Sequence, residues 1–235
     1  MSDAPYRLLD WDSQWFGFPI GRADLPEITP TSALEVDAWA RAGGLRCVYV
    51  FTRNSTPESP PAGFTFMDSR VEYELAPRDL AEGPIDPEAS MQPGEEDAVH
   101  ALARRLFTET RFSRDAGFPP DRVSELYAEW VRKDSTGCIP GCLVTRSGNT
   151  ISGFVTGRTD PADASRGSIG LLGVAESRRG QGLGSRLLDQ VCRVFVANGV
   201  KTISVVTQET NTAACRLYGH RGRVVARGYW YHRWY

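Results

Sequence analysis

The apolar run Ser168 to Val174 leads into Ala175-Glu176-Ser177-Arg178-Arg179-Gly180-Gln181-Gly182-Leu183-Gly184. Beyond it Leu183, Leu187, Leu188, Val191, Val194 and Phe195 recur at spacings of three and four. The run has the length of a buried strand, and the recurrence marks one face of a helix. Gly199 stands where a helix C-terminus wants a residue free to take positive φ. The glycines therefore fall at a strand-to-helix turn. There the first N–H groups of the helix lack intrahelical partners, and the helix dipole attracts anions. Residues Arg179 to Ser185 read as a cradle for a pyrophosphate. A Walker A loop is excluded, because Gly184 is followed by Ser185 and Arg186 with no lysine. A Rossmann fingerprint is excluded as well, because the order is Arg-x-x-Gly-x-Gly, late in the chain.

The chain has 235 residues, 41% hydrophobic and 24% charged, an ordinary composition for a soluble globular protein. A net charge of −2 gives no general affinity for nucleic acid or anionic membrane. Met1 to Pro5 has no signal-peptide character, and no apolar run reaches spanning length, so a cytoplasmic protein is expected. Of five cysteines, Cys138 and Cys142 have no matching His/Cys pair and read as free thiols; no metal is expected.

Taken in order, residues 1–77 read as an α/β segment, 78–92 as a Pro/Gly/acid-rich linker and 93–235 as the main domain. In the first, Leu8 to Phe18 is both aromatic and polar and reads as a plug against the neighbouring domain. Thr31 to Ala42 is a predicted helix with Ser32 as its N-cap, Cys47 to Phe51 a strand, Asn54 to Pro61 a loop, and Val71 onward a strand. In the main domain, helices are predicted over Glu95–Thr108 and Pro120–Lys133. Strands follow over 141–145, 150–158 and 168–174, the first two joined at Gly148-Asn149. A strand over 202–207, a short helix over 211–220 and two closing strands, 224–226 and 229–235, complete the chain.

After the strand at 202–207 comes Asn211-x-x-Ala214-x-x-x-Tyr218. With the loop Arg179-x-x-Gly182-x-Gly184, this pattern resembles the GNAT N-acetyltransferases. The resemblance implies an α/β fold with a mixed central sheet whose splayed strands enclose acetyl-CoA, preceded here by a smaller N-terminal α/β domain. It implies acetyl-CoA as co-substrate, and a homodimer by analogy. A narrower resemblance spans most of the chain: Trp11, Phe16-Gly17, Gly63-Phe64, Phe107 to Phe112, Tyr127 to Trp130, Ile169 to Leu172, Val206 to Gln208 and Tyr229 to Tyr231. It is similar to acetyltransferases acting on the 4-amino group of dTDP-linked 4-amino-4,6-dideoxyhexoses.

Transfer from a thioester to an amine needs a neutral amine, a stabilised oxyanion and a proton for the departing thiolate. Tyr218 is the expected general acid, because a phenol holds its proton at neutral pH. Backbone along Leu172, Gly173 and Val174 is expected to line the donor, and Asn211 to bond it and cap its own helix. Asp68 is the candidate base, with Glu72 and Glu74 as neighbours; His220 and His232 read as satisfied surface histidines. Arg111, Phe112, Trp15, Phe16, Tyr229 and Trp230 are candidates for a nucleoside diphosphate. Two other readings stay open: a GNAT for another amine (antibiotic, polyamine or protein N-terminus), and a non-catalytic acyl-CoA sensor.

Overall fold

A computed structural model describes residues 5–54, 60–75, 83–136 and 139–235. Residues 1–4, part of the loop at Asn54 to Pro61, the first part of the predicted linker and Cys138 lie outside the described residues.

Strand β1 (Tyr6–Leu8) is followed by α1 (Asp10–Phe16), β2 (Ile20–Leu25), α2 (Pro30–Ala42), β3 (Cys47–Thr52) and β4 (Phe64–Leu75). Then come α3 (Glu96–Leu106), α4 (Pro120–Ser135), β5 (Pro140–Ser147), β6 (Thr150–Thr159) and β7 (Arg166–Val174). Helix α5 (Leu183–Ala197), β8 (Thr202–Gln208), α6 (Thr212–Gly219) and β9 (Gly222–Trp234) complete the chain. Among the described residues the strands form one nine-stranded mixed sheet, ordered β1-β2-β3-β9-β4-β8-β7-β6-β5.

Apolar side chains on the two sides of the sheet build its two layers. On one side, α5 buries Leu187, Leu188, Val191, Cys192 and Phe195 against Val71, Tyr73, Leu75, Ile203 and Val205. Helix α2 covers the same side farther along, against Val48, Val50, Phe64 and Tyr231. On the other side, α3 and α4 pack Val99, Leu102, Ala103 and Val131 on Val144 and Phe154. There too, α1 and α4 close over Cys47, Tyr49, Phe112 and Phe118. The aromatic segment after Leu8 is thus a short helix within this layer.

Local chemistry shifts some boundaries. Thr29, not Ser32, caps α2: Ser32 N–H donates to Thr29 Oγ1 at 3.1 Å and Thr29 N–H to Ser32 Oγ at 2.8 Å, a reciprocal capping box with Pro30 in the first turn. The two closing strands are one. Their junction is Gly228, where a Cβ would overlap the Phe51 ring. Within the predicted linker, Ser90 bridges to Leu143, and Arg146 bonds the Ser90 carbonyl at 3.1 Å and Glu95 at 2.7 Å.

Two irregularities position the site. Strands β7 and β8 pair in parallel only from Arg166 with Thr202 to Ile169 with Val205. Beyond that, β8 stays on β4 as far as Gln208 with Arg70, and β7 stays on β6 as far as Val174 with Gly153. The register of β6 and β7 shifts where Gly170 and Leu171 oppose Thr156. Such a bulge bends a strand away from its other neighbour. A second shift, at Met67, sets Asp68 opposite Trp230, on the α1/α4 side.

His232 is not at the surface. Its place on β9 buries it completely, with Nδ1 at 2.6 Å from Asp115 Oδ2 and Nε2 without a partner. Burial among Tyr49, Phe112 and Phe118 outweighs the Asp115 hydrogen bond and lowers its pKa to about 4. The unfolded chain therefore binds this proton first, near pH 6.5. Stability from this group is full above about pH 6.5 and falls as pH drops toward 4, by at most ~1.4 kcal/mol per unit for one proton. Urea midpoints of the wild type are expected to fall across that window, and His232→Gln to lose that part of the slope.

Candidate active site

The glycine loop sits where β7 hands over to α5. Gly180 and Gly182 both take φ of +75°, which favours glycine, and nothing lies within 4 Å of a Cβ at either. The first intrahelical bond runs from Arg186 N–H to the Gly182 carbonyl. The N–H groups of Leu183, Gly184 and Ser185 precede it, and Gly182 offers no side-chain cap. Arg179, Gly180 and Gln181 are exposed beside them. These residues fit an anion the size of a pyrophosphate.

From this loop the gap between β7 and β8 opens. A Cβ at Gly184 would lie 3.7 Å from Leu217, 3.8 Å from Leu172 and 4.0 Å from Val174, so α5, α6 and β7 converge there. Leu171 N–H donates to Thr156 Oγ1 at 2.9 Å, and Ala175 N–H to the Ser152 carbonyl at 2.8 Å. Both point toward β6. Alternate N–H groups of an extended strand point to opposite edges. Leu172 and Val174 therefore direct theirs into the gap, while Gly173 faces β6.

Tyr218, on α6, lies on the α5 side of the sheet, buried in the cluster that Leu172 and Val174 join, with its ring 5.9 Å from that of Tyr73. Burial raises its pKa, so the phenol keeps its proton. Asn211 caps α6, its Oδ1 accepting from Ala214 N–H at 3.1 Å. His220 is exposed at the far end of that helix.

Asp68 lies on the other side of the sheet, 5% exposed, two residues beyond the last β4–β8 pair. Burial raises its pKa, a Gln208 hydrogen bond opposes that, and its Oδ1 has no partner. Around it the same face gathers polar groups. The Arg111 guanidinium stacks 4.2 Å from the Trp230 ring and 4.8 Å from that of Tyr49, and its Nη1 has no partner. The Tyr49 hydroxyl is also without one. Buried polar atoms left this way cost stability and point to an absent partner. Burial likewise raises the pKa of Asp12, whose nearest charges include Arg111, Lys133 and Arg22.

The aromatic candidates divide. Phe16 and Phe112 are core residues, 4% and 1% exposed. Trp15 stacks on Trp11 and donates from Nε1 to the Arg122 carbonyl. Tyr229 packs with the α2 layer, on the opposite side from Arg111. Trp230 is flanked by Arg22 at 4.7 Å as well as by Arg111. Sequence reasoning missed Arg22, Asp12 and Tyr49, which only the packing of β2, β3 and α1 brings to one face. Among the described residues no cluster of metal-ligating side chains is present, and no helix is long and apolar enough to cross a membrane.

The profile of the acetyltransferase (GNAT) family matches residues 99–222, from α3 to the start of β9. The dTDP-fucosamine acetyltransferase of Escherichia coli O6:H1 is 26% identical over 233 residues, 96% of each chain. The spore coat polysaccharide biosynthesis protein SpsD of Bacillus subtilis (strain 168) is 26% identical over 144 residues, 61% of this chain and 49% of its own. A GCN5-related N-acetyltransferase from Sphaerobacter thermophilus shares the fold at a TM-score of 0.60 and 17% identity, over 97% of this chain and 76% of its own. The family profile spans more than half of the chain and covers the splayed strands, the glycine loop and the Tyr218 helix together: the chain belongs to the GNAT acetyltransferase family, and it is an acetyltransferase.

Proposed function

We propose that this acetyltransferase takes acetyl from acetyl-CoA and places it on the 4-amino group of a dTDP-linked 4-amino-4,6-dideoxyhexose. The observation that carries this is the extent of one match. The family profile covers residues 99–222, yet the likeness to dTDP-fucosamine acetyltransferase runs over 96% of both chains. A match of that extent takes in most of residues 1–77, which we read as an N-terminal segment that serves the acceptor. That segment supplies Asp12, Arg22, Tyr49 and Asp68 to the polar face described above.

Acetyl-CoA, when bound, supplies an acetyl group activated as a thioester. Its pyrophosphate would be held by Arg179, Gly180, Gln181, Gly182, Leu183, Gly184 and Ser185. Leu172, Gly173 and Val174 would hold its pantetheine arm, with Asn211 as a further hydrogen-bonding group. In the transfer a C–N bond forms to the amine and the C–S bond breaks. The N–H groups of Leu172 and Val174 are the donors for the oxygen that becomes negative. Tyr218 holds the proton that the sulfur receives. Asp68, with its affinity for a proton raised by burial, accepts the proton the amine loses, directly or through water. Acid and base lie on opposite sides of the sheet. Arg111 holds an anionic group of the acceptor.

The first test is thiol release from acetyl-CoA with a panel of dTDP-4-amino-4,6-dideoxyhexoses beside simple amines and peptides. Release with one dTDP-sugar epimer is expected; release with peptides or simple amines alone would overturn the acceptor. Tyr218→Phe should lower kcat by about 10²- to 10⁴-fold and leave acetyl-CoA binding nearly unchanged. A variant with wild-type kcat would remove Tyr218 from the mechanism. Gly182→Val should abolish acetyl-CoA binding in calorimetry, because its φ of +75° is strained for a β-branched residue.

A further inference from the structure

Helix α4 reaches the gap from the side opposite the glycine loop. In its last turn Asp134 points at the bulge in β7. Thr156 Oγ1 donates to Asp134 Oδ2 at 2.9 Å, and the same oxygen accepts the Leu171 N–H at 2.9 Å. Thr156 is fully buried, and the Asp134 side chain is 13% exposed with Arg158 Nη1 3.9 Å from its other oxygen. A hydroxyl that donates to a carboxylate is a polarised, directional acceptor. It occupies the place where a regular β6 would present a carbonyl to Leu171. Gly170 completes the arrangement: a Cβ there would overlap Asp134 Oδ2 and lie 2.7 Å from Thr156 Oγ1.

Strand alternation transmits this bond to the gap. With Leu171 N–H fixed toward β6, those of Leu172 and Val174 turn the other way. Were Leu171 released, the bulge could migrate by one residue, and the donors facing the gap would change.

We propose that Asp134 and Thr156 are positioning residues for the acyl donor, fixing through Leu171 which backbone N–H groups β7 presents to it. This rests on the reading of the gap as the acetyl-CoA site. The pair touches no substrate; it acts through the strand. It also ties the donor side to α4, whose other turns carry Tyr127 and Trp130 toward the acceptor face.

The test uses the intact chain, with acetyl-CoA calorimetry, steady-state kinetics and hydrogen–deuterium exchange over residues 168–174. Thr156→Val should raise the Kd and KM for acetyl-CoA about tenfold, the cost of one buried N–H left unsatisfied. The KM for the amine should stay unchanged, and exchange should quicken at Leu171. Thr156→Ser and Asp134→Asn, which keep the donor and the acceptor, should restore wild-type values; Asp134→Ala should follow Thr156→Val. A rise in both KM values by the same factor, or equal loss in the Ser and Val variants, would show general destabilisation and overturn the proposal. So would wild-type affinity in Thr156→Val while the wild type binds acetyl-CoA. Failure of the wild type to bind acetyl-CoA would instead sink the reading of the gap, and the proposal with it.

Discussion

Everything about this acetyltransferase's site depends on where β7 and β8 stop hydrogen-bonding to each other. A sheet gains by pairing every N–H and C=O, and an unpaired buried group is costly. Here the pairing ends at Ile169 and Val205. The edge left open on β7 is tolerable because its groups face a cleft that another extended, polar chain can enter. In the proposed reading the acyl donor continues the sheet's own chemistry, with a ligand in place of a strand. The glycine loop, α5 and α6 are arranged around the mouth of that opening.

The sheet also acts as a partition. Tyr218 is held in an apolar cluster on the α5 side, where burial keeps its phenol protonated. Asp68 is held on the α1/α4 side among guanidiniums and aromatic rings, where desolvation raises its proton affinity and the nearby Arg111 and Arg114 charges limit the rise. The two environments differ because β4 slips register at Met67, which turns Asp68 toward Trp230. One extra residue in a strand therefore decides which side of the molecule a carboxylate serves.

Local patterns were legible in the chain, and long-range ones were not. The turn from Val174 to Gly184, the apolar face of α5 and the Asn211 cap are set by residues within a few positions of one another, so spacing alone reveals them. The bulge at Gly170 was invisible. It depends on Thr156 and Asp134, and no periodicity links residues that far apart. His232 reads as a surface residue of a closing strand, and only the insertion of β9 between β3 and β4 buries it. Phe16 and Phe112 have the composition of a stacking platform and the position of a core. Aromatic content reports apolar area; which face of a ring stays free is settled by packing. Arg22 and Asp12 carried no signal, because a single charge in a short strand or helix has many uses.

The place of β9 has a consequence for how the molecule is assembled. Its partners on either side, β3 and β4, are made early, and Cys47 pairs with Trp234 across almost the whole chain. Until residues 222–234 leave the ribosome, two strand edges stand open to wrong partners. The glycine loop, α5 and β8 can already be in place by then. The polar face proposed for the acceptor, which needs Trp230, cannot. On the proposed reading, a growing chain therefore acquires a pocket for the donor before it has any surface for the acceptor, and both stand on the same sheet only once its last strand slides into the middle.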